Sequence, residues 1–365
     1  MGLGACFLDW YQKPLGQKIG KKKPVILVDS EGGGERATFW TALVLAQLHD
    51  EIPDFTSHVF SISGVSRGSL GAAVFADLIA SPEDECKYEI PTEVSGDNGK
   101  NLAGNLRCRA MRILREDFLA PTVSTMVFPD MFQRFLPFAF FDDRAMALEK
   151  AWESAWTTHE NTHVFESPFN ELWHSNYSND ARAFPPFLFL NSTVVETGQR
   201  LIVNPLGLSS GEFNRTFNDA LDGIEVVGYD LPLSTAVHMS ARFTYVSPAG
   251  TVRRLDNNPN PEWIHVVDGG YFENSGSVTS DEIFSEILLT LETCRNRDDL
   301  CGMNEEELNI HPVLIHISNE PMEKTLNLPK IKELGLVRSF HQSVRCSMFE
   351  RDVGIKLGLS CARNL

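Results

Sequence analysis

Two short apolar runs, each followed by a glycine turn and then by apolar residues at helical spacing, constrain this chain more than any other feature. The first run, Pro24-Val25-Ile26-Leu27-Val28-Asp29-Ser30, is rich in β-branched residues. That suits a strand buried on both faces of a parallel sheet. Gly32-Gly33-Gly34 breaks the run. Arg36 to Asp50 then reads as a helix, with Phe39, Trp40, Leu43, Val44 and Leu48 three to four apart. His58-Val59-Phe60-Ser61-Ile62 is a second strand. Gly64-Val65-Ser66-Arg67-Gly68 turns it into a helix from about Ser69 to Ala80, which Ser81-Pro82 ends. This βαβα order implies a parallel sheet with helices on its faces.

The length of 365 residues suits one large domain or two smaller ones. Residues 82–185 break the pattern with a polar segment, Pro91 to Asn105, an aromatic segment, Phe118 to Phe141, and later Trp152, Trp156 and Trp173. They read as a partly helical insertion. Strand patterns resume at Phe187 to Asn191 and Arg200 to Val203. A helix follows from Pro232 to about Phe243, and Trp263 to Val267 forms a strand ending at Asp268. Asp281 to Cys294 is an amphipathic helix, and Pro312 to Ile317 is the last clear strand pattern. The expected division is an N-terminal arm, 1–23, and one domain, 24–365, containing the insertion.

Composition excludes some roles. The formal net charge of −17 opposes general binding to nucleic acid or anionic membranes. The basic cluster Lys18 and Lys21 to Lys23 is read as part of a solvated arm. The cysteines, Cys6, Cys86, Cys108, Cys294, Cys301, Cys346 and Cys361, are odd in number and contain no C-x-x-C pair. This predicts no disulfide framework, no zinc site and a reducing compartment. The Cys294 to Cys301 spacing nonetheless allows a pair in an oxidising setting. Leu3-Gly4-Ala5-Cys6 resembles a lipoprotein cleavage box without the apolar stretch before it, and Cys6 stands where N-myristoylation prefers Ser or Thr. With no long apolar span, the expected location is cytoplasmic or at the membrane periphery.

The chemistry concentrates at three glycine-marked strand ends. Gly64 to Gly68 matches G-x-S-x-G in the strand-to-helix context that the motif requires, making Ser66 the candidate nucleophile. Gly64 and Gly68 flank it where a β-carbon crowds the turn. Arg67 is an unusual middle residue: it either steadies an anionic substrate or points to solvent. In Glu31-Gly32-Gly33-Gly34-Glu35-Arg36, consecutive glycines bare backbone N–H groups that suit an oxyanion. No phosphate-loop or dinucleotide pattern fits there. Asp268, followed by Gly269-Gly270, ends a strand at the sheet edge expected for Ser66. A buried carboxylate with a raised pKa can take a serine proton directly. The competing reading is an aspartate that merely opens a turn. His311, His316 and His341 follow the serine, but none sits in a glycine-marked loop, and His316 reads as packed core.

Taken together, these motifs resemble the patatin-like phospholipase family. The glycine-rich loop, the elbow and the Asp-Gly-Gly motif fall on Gly32-Gly33-Gly34-Glu35-Arg36, Gly64 to Gly68 and Asp268-Gly269-Gly270. Asn191-Ser192-Thr193-Val194-Val195-Glu196-Thr197-Gly198, Ser240-Ala241-Arg242-Phe243 and Tyr271-Phe272-Glu273-Asn274-Ser275-Gly276 extend the resemblance over about Val25 to Gly276. It implies a three-layer α/β/α fold with a mostly parallel central sheet, a Ser66–Asp268 dyad without histidine, and cleavage of acyl esters in lipids. Gly32, Gly33, Gly34, Arg36 and Arg67 would form the oxyanion site, with no metal or cofactor. Glu35 and Arg67 depart from the family pattern.

Seven phenylalanines between Phe118 and Phe141 are interrupted by Pro121, Pro129 and Pro137, which predicts short amphipathic pieces. They form either an acyl-chain channel or membrane-contacting lid, or a cap over the core. The overall expectation is a serine-dependent lipid acyl hydrolase acting on a lipid or other acyl ester. The alternatives are a weak or inactive lipid-binding protein on the same scaffold, disabled by Glu35 or Arg67, and an acyltransferase using the same pair.

Overall fold

Burial on both faces accounts for the first two strands. Every residue of β1 (Lys23–Ser30) and β2 (Val59–Val65) is buried, as their apolar character predicts. The computed structural model describes residues 2–13, 23–81, 86, 105–133, 135–137, 140–174, 184–208, 216–217, 219–254, 263–296, 301–303, 308–319, 344–352 and 355–361. The remaining strands are β3 (Phe187–Val194), β4 (Arg200–Val203), β5 (Ala220–Asp222), β6 (Gly250–Arg253), β7 (Trp263–Asp268), β8 (Ile310–Ile317), β9 (Val344–Asp352) and β10 (Ile355–Cys361). They join in one sheet of order β10-β9-β8-β1-β2-β3-β4-β5, with β7 pairing β3 and β6. The centre, β8-β1-β2-β3, is parallel. Antiparallel pairs flank it at β3–β4, β3–β7, β8–β9 and β9–β10.

Neighbouring residues of a strand point to opposite faces, which fixes the layers. Ser30 and Gly64, paired across β1 and β2, face α2 (Glu35–Glu51) and α3 (Arg67–Ala80). Ser30 Oγ lies 2.6 Å from Thr41 Oγ1 of α2. Ser63 and Asn191 face the opposite layer: Ser63 Oγ donates to Gly276 O at 2.7 Å, and Thr279 Oγ1 donates to Asn191 Oδ1 at 2.6 Å. Thr279 belongs to the long helix that connects β7 to β8 and covers this second face. The α/β architecture is as expected, with three layers.

Between α3 and β3 come α4 (Asn105–Leu114), α5 (Leu119–Val127), α6 (Pro129–Gln133) and α7 (Arg144–Glu160). These pieces are short where prolines recur. The polar segment Pro91 to Asn105 lies outside the described residues except for its last residue. Helix α7 is part of the core, with Trp152 and Trp156 fully buried. Trp156 Nε1 donates to Asp77 on α3, which ties the insertion to the helix that follows the elbow. Beyond it, α8 (Leu233–Ser240) packs on β3, and α9 (Ser277–Asn296) is the helix of the second face.

Three expectations need correction. The solvated arm is wrong for residues 3–12, which form α1 (Leu3–Gln12). Leu3, Phe7, Trp10 and Tyr11 form a buried stripe, with Phe7 and Trp10 edge-on to Phe60 at 5.4 and 5.1 Å. Lys23 is buried and donates to the carbonyls of Tyr11 and Lys13. Lys18, Lys21 and Lys22 lie outside the described residues. Second, disulfides join Cys86 to Cys108 and Cys294 to Cys301. The first pair was invisible in the spacing because Asn105 Oδ1 holds Cys86 N–H beside α4, a contact made only in the fold. Third, β9 and β10 follow the last clear strand pattern. Ile355, Leu357 and Leu359 alternate with Lys356, Gly358 and Ser360, a period-two signal that the expectation overlooked.

Burial raises the Asp77 pKa to about 6, against the opposing bond from Trp156. Trp156→Phe keeps an aromatic ring, though a smaller one, and leaves that carboxyl without its indole donor. It should destabilise the protein by about 1–3 kcal/mol in urea unfolding. An unchanged midpoint would remove this bond from the account.

Candidate active site

Strand direction brings the two expected residues together. Through Asn191, β3 pairs with β2; from Ser192 onward it pairs with β7. Strand β4 occupies the other side of β3 at Ser192, so β2 and β7 share one edge and run toward each other along it. Val65, the last residue of β2, stands opposite Asn191, and Asp268, the last of β7, stands opposite Ser192. The next residue after Val65 is Ser66. Its Oγ donates to Asp268 Oδ2 at 2.5 Å. The expected meeting at one sheet edge therefore occurs, but β7 arrives antiparallel rather than as another parallel strand.

The elbow has the backbone that its sequence predicts. Ser66 precedes α3 with φ 54° and ψ −130°, a conformation that costs a non-glycine residue about 1–3 kcal/mol. Gly64 packs on Ser69, and Gly68 lies where a Cβ would stand 2.5 Å from Glu31 O. After Asp268, Gly269 passes so close to β3 that a Cβ would lie 2.2 Å from Asn191 O. Gly270 N–H donates to Asp268 Oδ1 at 2.8 Å, leaving Oδ2 for the serine.

Asp268 is buried, and burial raises its pKa above the ordinary aspartate range. Hydrogen bonds from Ser66 and Gly270, then the charge of Arg67, oppose that rise. A carboxylate made more basic by burial and set against a serine hydroxyl is suited to accept its proton. Among the described residues, no histidine lines the pocket and no cluster could hold a metal ion.

The glycine loop divides its roles. Gly32 N–H is committed to Asn274 O at 3.1 Å, so the expected oxyanion role is corrected at this position. Gly33 and Gly34 line a pocket of about 490 Å³ together with Ser66, Arg67 and Asp268. Among the described residues, neither Gly33 nor Gly34 N–H has a protein acceptor. The Arg36 side chain is exposed and does not line the pocket. The two departures from the family pattern pair with each other: Arg67 Nη2 lies 2.9 Å from Glu35 Oε1. Arg67 is buried, with its guanidinium 5.0 Å over the Trp152 ring, so it does not point to solvent.

A polar brace behind the loop was missed in the sequence. Glu31 accepts from His316 Nε2 at 2.9 Å, Ser318 Oγ at 2.7 Å and Asn319 N at 2.8 Å. Asn319 Nδ2 donates to Glu31 O at 2.9 Å. His316 Nδ1 lies 3.6 Å from Asp29 Oδ2, so this histidine bridges two carboxylates rather than merely filling core. The signal for it was a histidine late in a strand beside one ending Asp29-Ser30, with Glu31 next in the chain. His311 also lies in β8, and His341 lies outside the described residues.

Burial alone would lower the His316 pKa, but hydrogen bonds and charge from Asp29 and Glu31 outweigh it and raise the value to about 9. A raised histidine pKa stabilises fully below the unfolded value, about 6.5, and the contribution is lost as pH rises through about 9. Thermal stability should decline across that window, and His316→Gln should flatten the decline. Parallel profiles for the two proteins would contradict the bridge.

No family model and no curated protein matches the sequence. Among solved structures, human GIVD cytosolic phospholipase A2 is 14% identical with a TM-score of 0.37, covering 81% of this chain and 51% of that one. Its complex with methyl gamma-linolenyl fluorophosphonate gives 16% and 0.38, covering 81% and 47%. VipD from Legionella pneumophila gives 8% and 0.27, covering 80% and 49%. The chain spans about half the length of each of these three structures.

Proposed function

We propose that this chain is a serine-dependent lipid acyl hydrolase of the patatin-like type, using Ser66 and Asp268 as a dyad. The observation that carries the reading is the 2.5 Å hydrogen bond between Ser66 Oγ and Asp268 Oδ2 on the wall of an open pocket. Ser66 attacks the ester carbonyl while Asp268 Oδ2 takes its proton. The N–H groups of Gly33, Gly34 and Arg67 hold the oxyanion. The protonated Asp268 then releases the alcohol, and as the carboxylate it activates the water that frees the acid from the acyl-enzyme. The Glu35–Arg67 pair supports an active site over a disabled one, because each departure neutralises the other at the pocket wall.

The pocket mouth supports a lipid substrate. Leu119 of α5 and the stacked rings of Phe243 and Tyr271 line it. Next to Leu119, α5, α6 and the segment after them expose Phe128, Phe132, Phe135, Phe140 and Phe141, with Phe135 84% accessible. Leu119, exposed on the same helix and lining the pocket, links the two, which favours the lid reading over a core cap. Among the described residues no helix is long and apolar enough to cross a membrane, so this face would touch the interface from one side. Given the net charge of −17, an uncharged or zwitterionic surface suits it best.

A fluorophosphonate probe should label the wild type and not Ser66→Ala; equal labelling of both removes Ser66 from its role. Asp268→Asn should lower kcat by about 10²- to 10⁴-fold. In the wild type, kcat/KM should fall as pH drops through the raised Asp268 pKa, with no second limb near the histidine range.

The double variant Phe132→Asp, Phe135→Asp should weaken binding to phosphatidylcholine vesicles about tenfold or more. It should leave hydrolysis of a soluble ester unchanged. Undiminished vesicle binding would exclude this face.

A further inference from the structure

The backbones of both dyad residues are gripped by one segment that contains neither of them. Ser66 N–H donates to Ser240 Oγ at 3.0 Å. Ser240 Oγ lies 2.6 Å from Asn191 O, to which it donates, and 2.8 Å from Ser69 Oγ. A hydroxyl has one proton and two lone pairs. With its proton on Asn191 O, Ser240 accepts from Ser66 N–H and from Ser69 Oγ–H, and its capacity is full. Two residues later, Arg242 O accepts the Asp268 N–H at 3.1 Å.

We propose that Ser240 is the positioning residue of the dyad. It pins the nucleophile's amide while the carbonyl of Arg242 pins the base's, so one short segment sets the separation of Ser66 Oγ and Asp268 Oδ2. This rests on the serine hydrolase reading above. Ser240 is fully buried and off the pocket wall, so it acts through Ser66 rather than on substrate.

Two features make the clamp more than an ordinary buried contact. It attaches at the strained residue itself, where the positive φ of Ser66 persists only if its surroundings hold it. It is also anchored from behind. His238 Nδ1 lies 2.7 Å from Glu149 Oε1, and Ser234 Oγ donates to Glu153 Oε1 at 2.6 Å, fixing α8 to α7. Asn191, which receives the Ser240 proton, also donates through Nδ2 to Gly64 O at 2.8 Å. The elbow is thereby held from β3 beside it and from α8 across it.

The test measures kcat and KM on a soluble p-nitrophenyl ester, the rate of fluorophosphonate labelling, and thermal stability. Ser240→Ala should lower kcat and the labelling rate about 10- to 100-fold, the scale of a small misplacement of reacting groups, with KM within about twofold. Ser240→Thr, which restores the hydroxyl, should recover most of the loss. A Ser240→Ala protein that is less stable but labels and turns over within about threefold of the wild type overturns the proposal, because the bond is then only structural. If Ser240→Ala does not fold, Ser240→Cys keeps the volume and weakens the acceptor. It should slow labelling about threefold or more, and an unchanged rate overturns the proposal equally. Wild type that neither labels nor hydrolyses any ester removes the hydrolase reading and the clamp with it.

Discussion

A hydrogen bond between Ser66 and Asp268 exists because two strands of opposite direction end at the same point on a third. Strand β3 is longer than its pairing with β2 requires, and the residues beyond Asn191 are taken by β7 from the opposite direction. Each incoming strand delivers its last side chain to the junction. Had β7 paired in parallel, its C-terminal residue would lie away from the elbow. The rest of the site is arranged around that junction: the amides of the glycine loop on one side, Gly269 pressed against β3 on the other, and the apolar mouth above.

Holding the junction has an energetic cost, met by polar groups that do no chemistry themselves. Ser66 keeps a backbone conformation costing about 1–3 kcal/mol. Asp268 is held in surroundings that favour its neutral form. Arg67 is buried beside Glu35 and Trp152. Asn274, Asn319 and His316 hold the glycine loop through its carbonyls and through Glu31.

Local signals made part of this legible. Ser66, Gly64 and Gly68 were readable because the elbow is a local object: a strand, a tight turn and a helix within a few residues. Asp268 was readable through the two glycines that follow it. The assignment of oxyanion donors went further than the residues allowed. Gly32 looks the same as Gly33 and Gly34 in sequence, yet Asn274, far along the chain, takes its amide. Glu35 and Arg67 each looked like a defect, because a departure from pattern shows no partner until the turns containing them are adjacent.

Hydrophobic periodicity and turn chemistry, which act over a few residues, determined the βαβα beginning, the parallel sheet centre, the elbow and the strand ending in Asp268. Only the tertiary structure decided which way β7 runs, which amides of the glycine loop remain open, that His316 bridges two carboxylates, and that Cys86 reaches Cys108. Each of those depends on contacts between residues distant in the chain. Alternation and helical spacing record which face of an element is buried; they carry no record of what it is buried against.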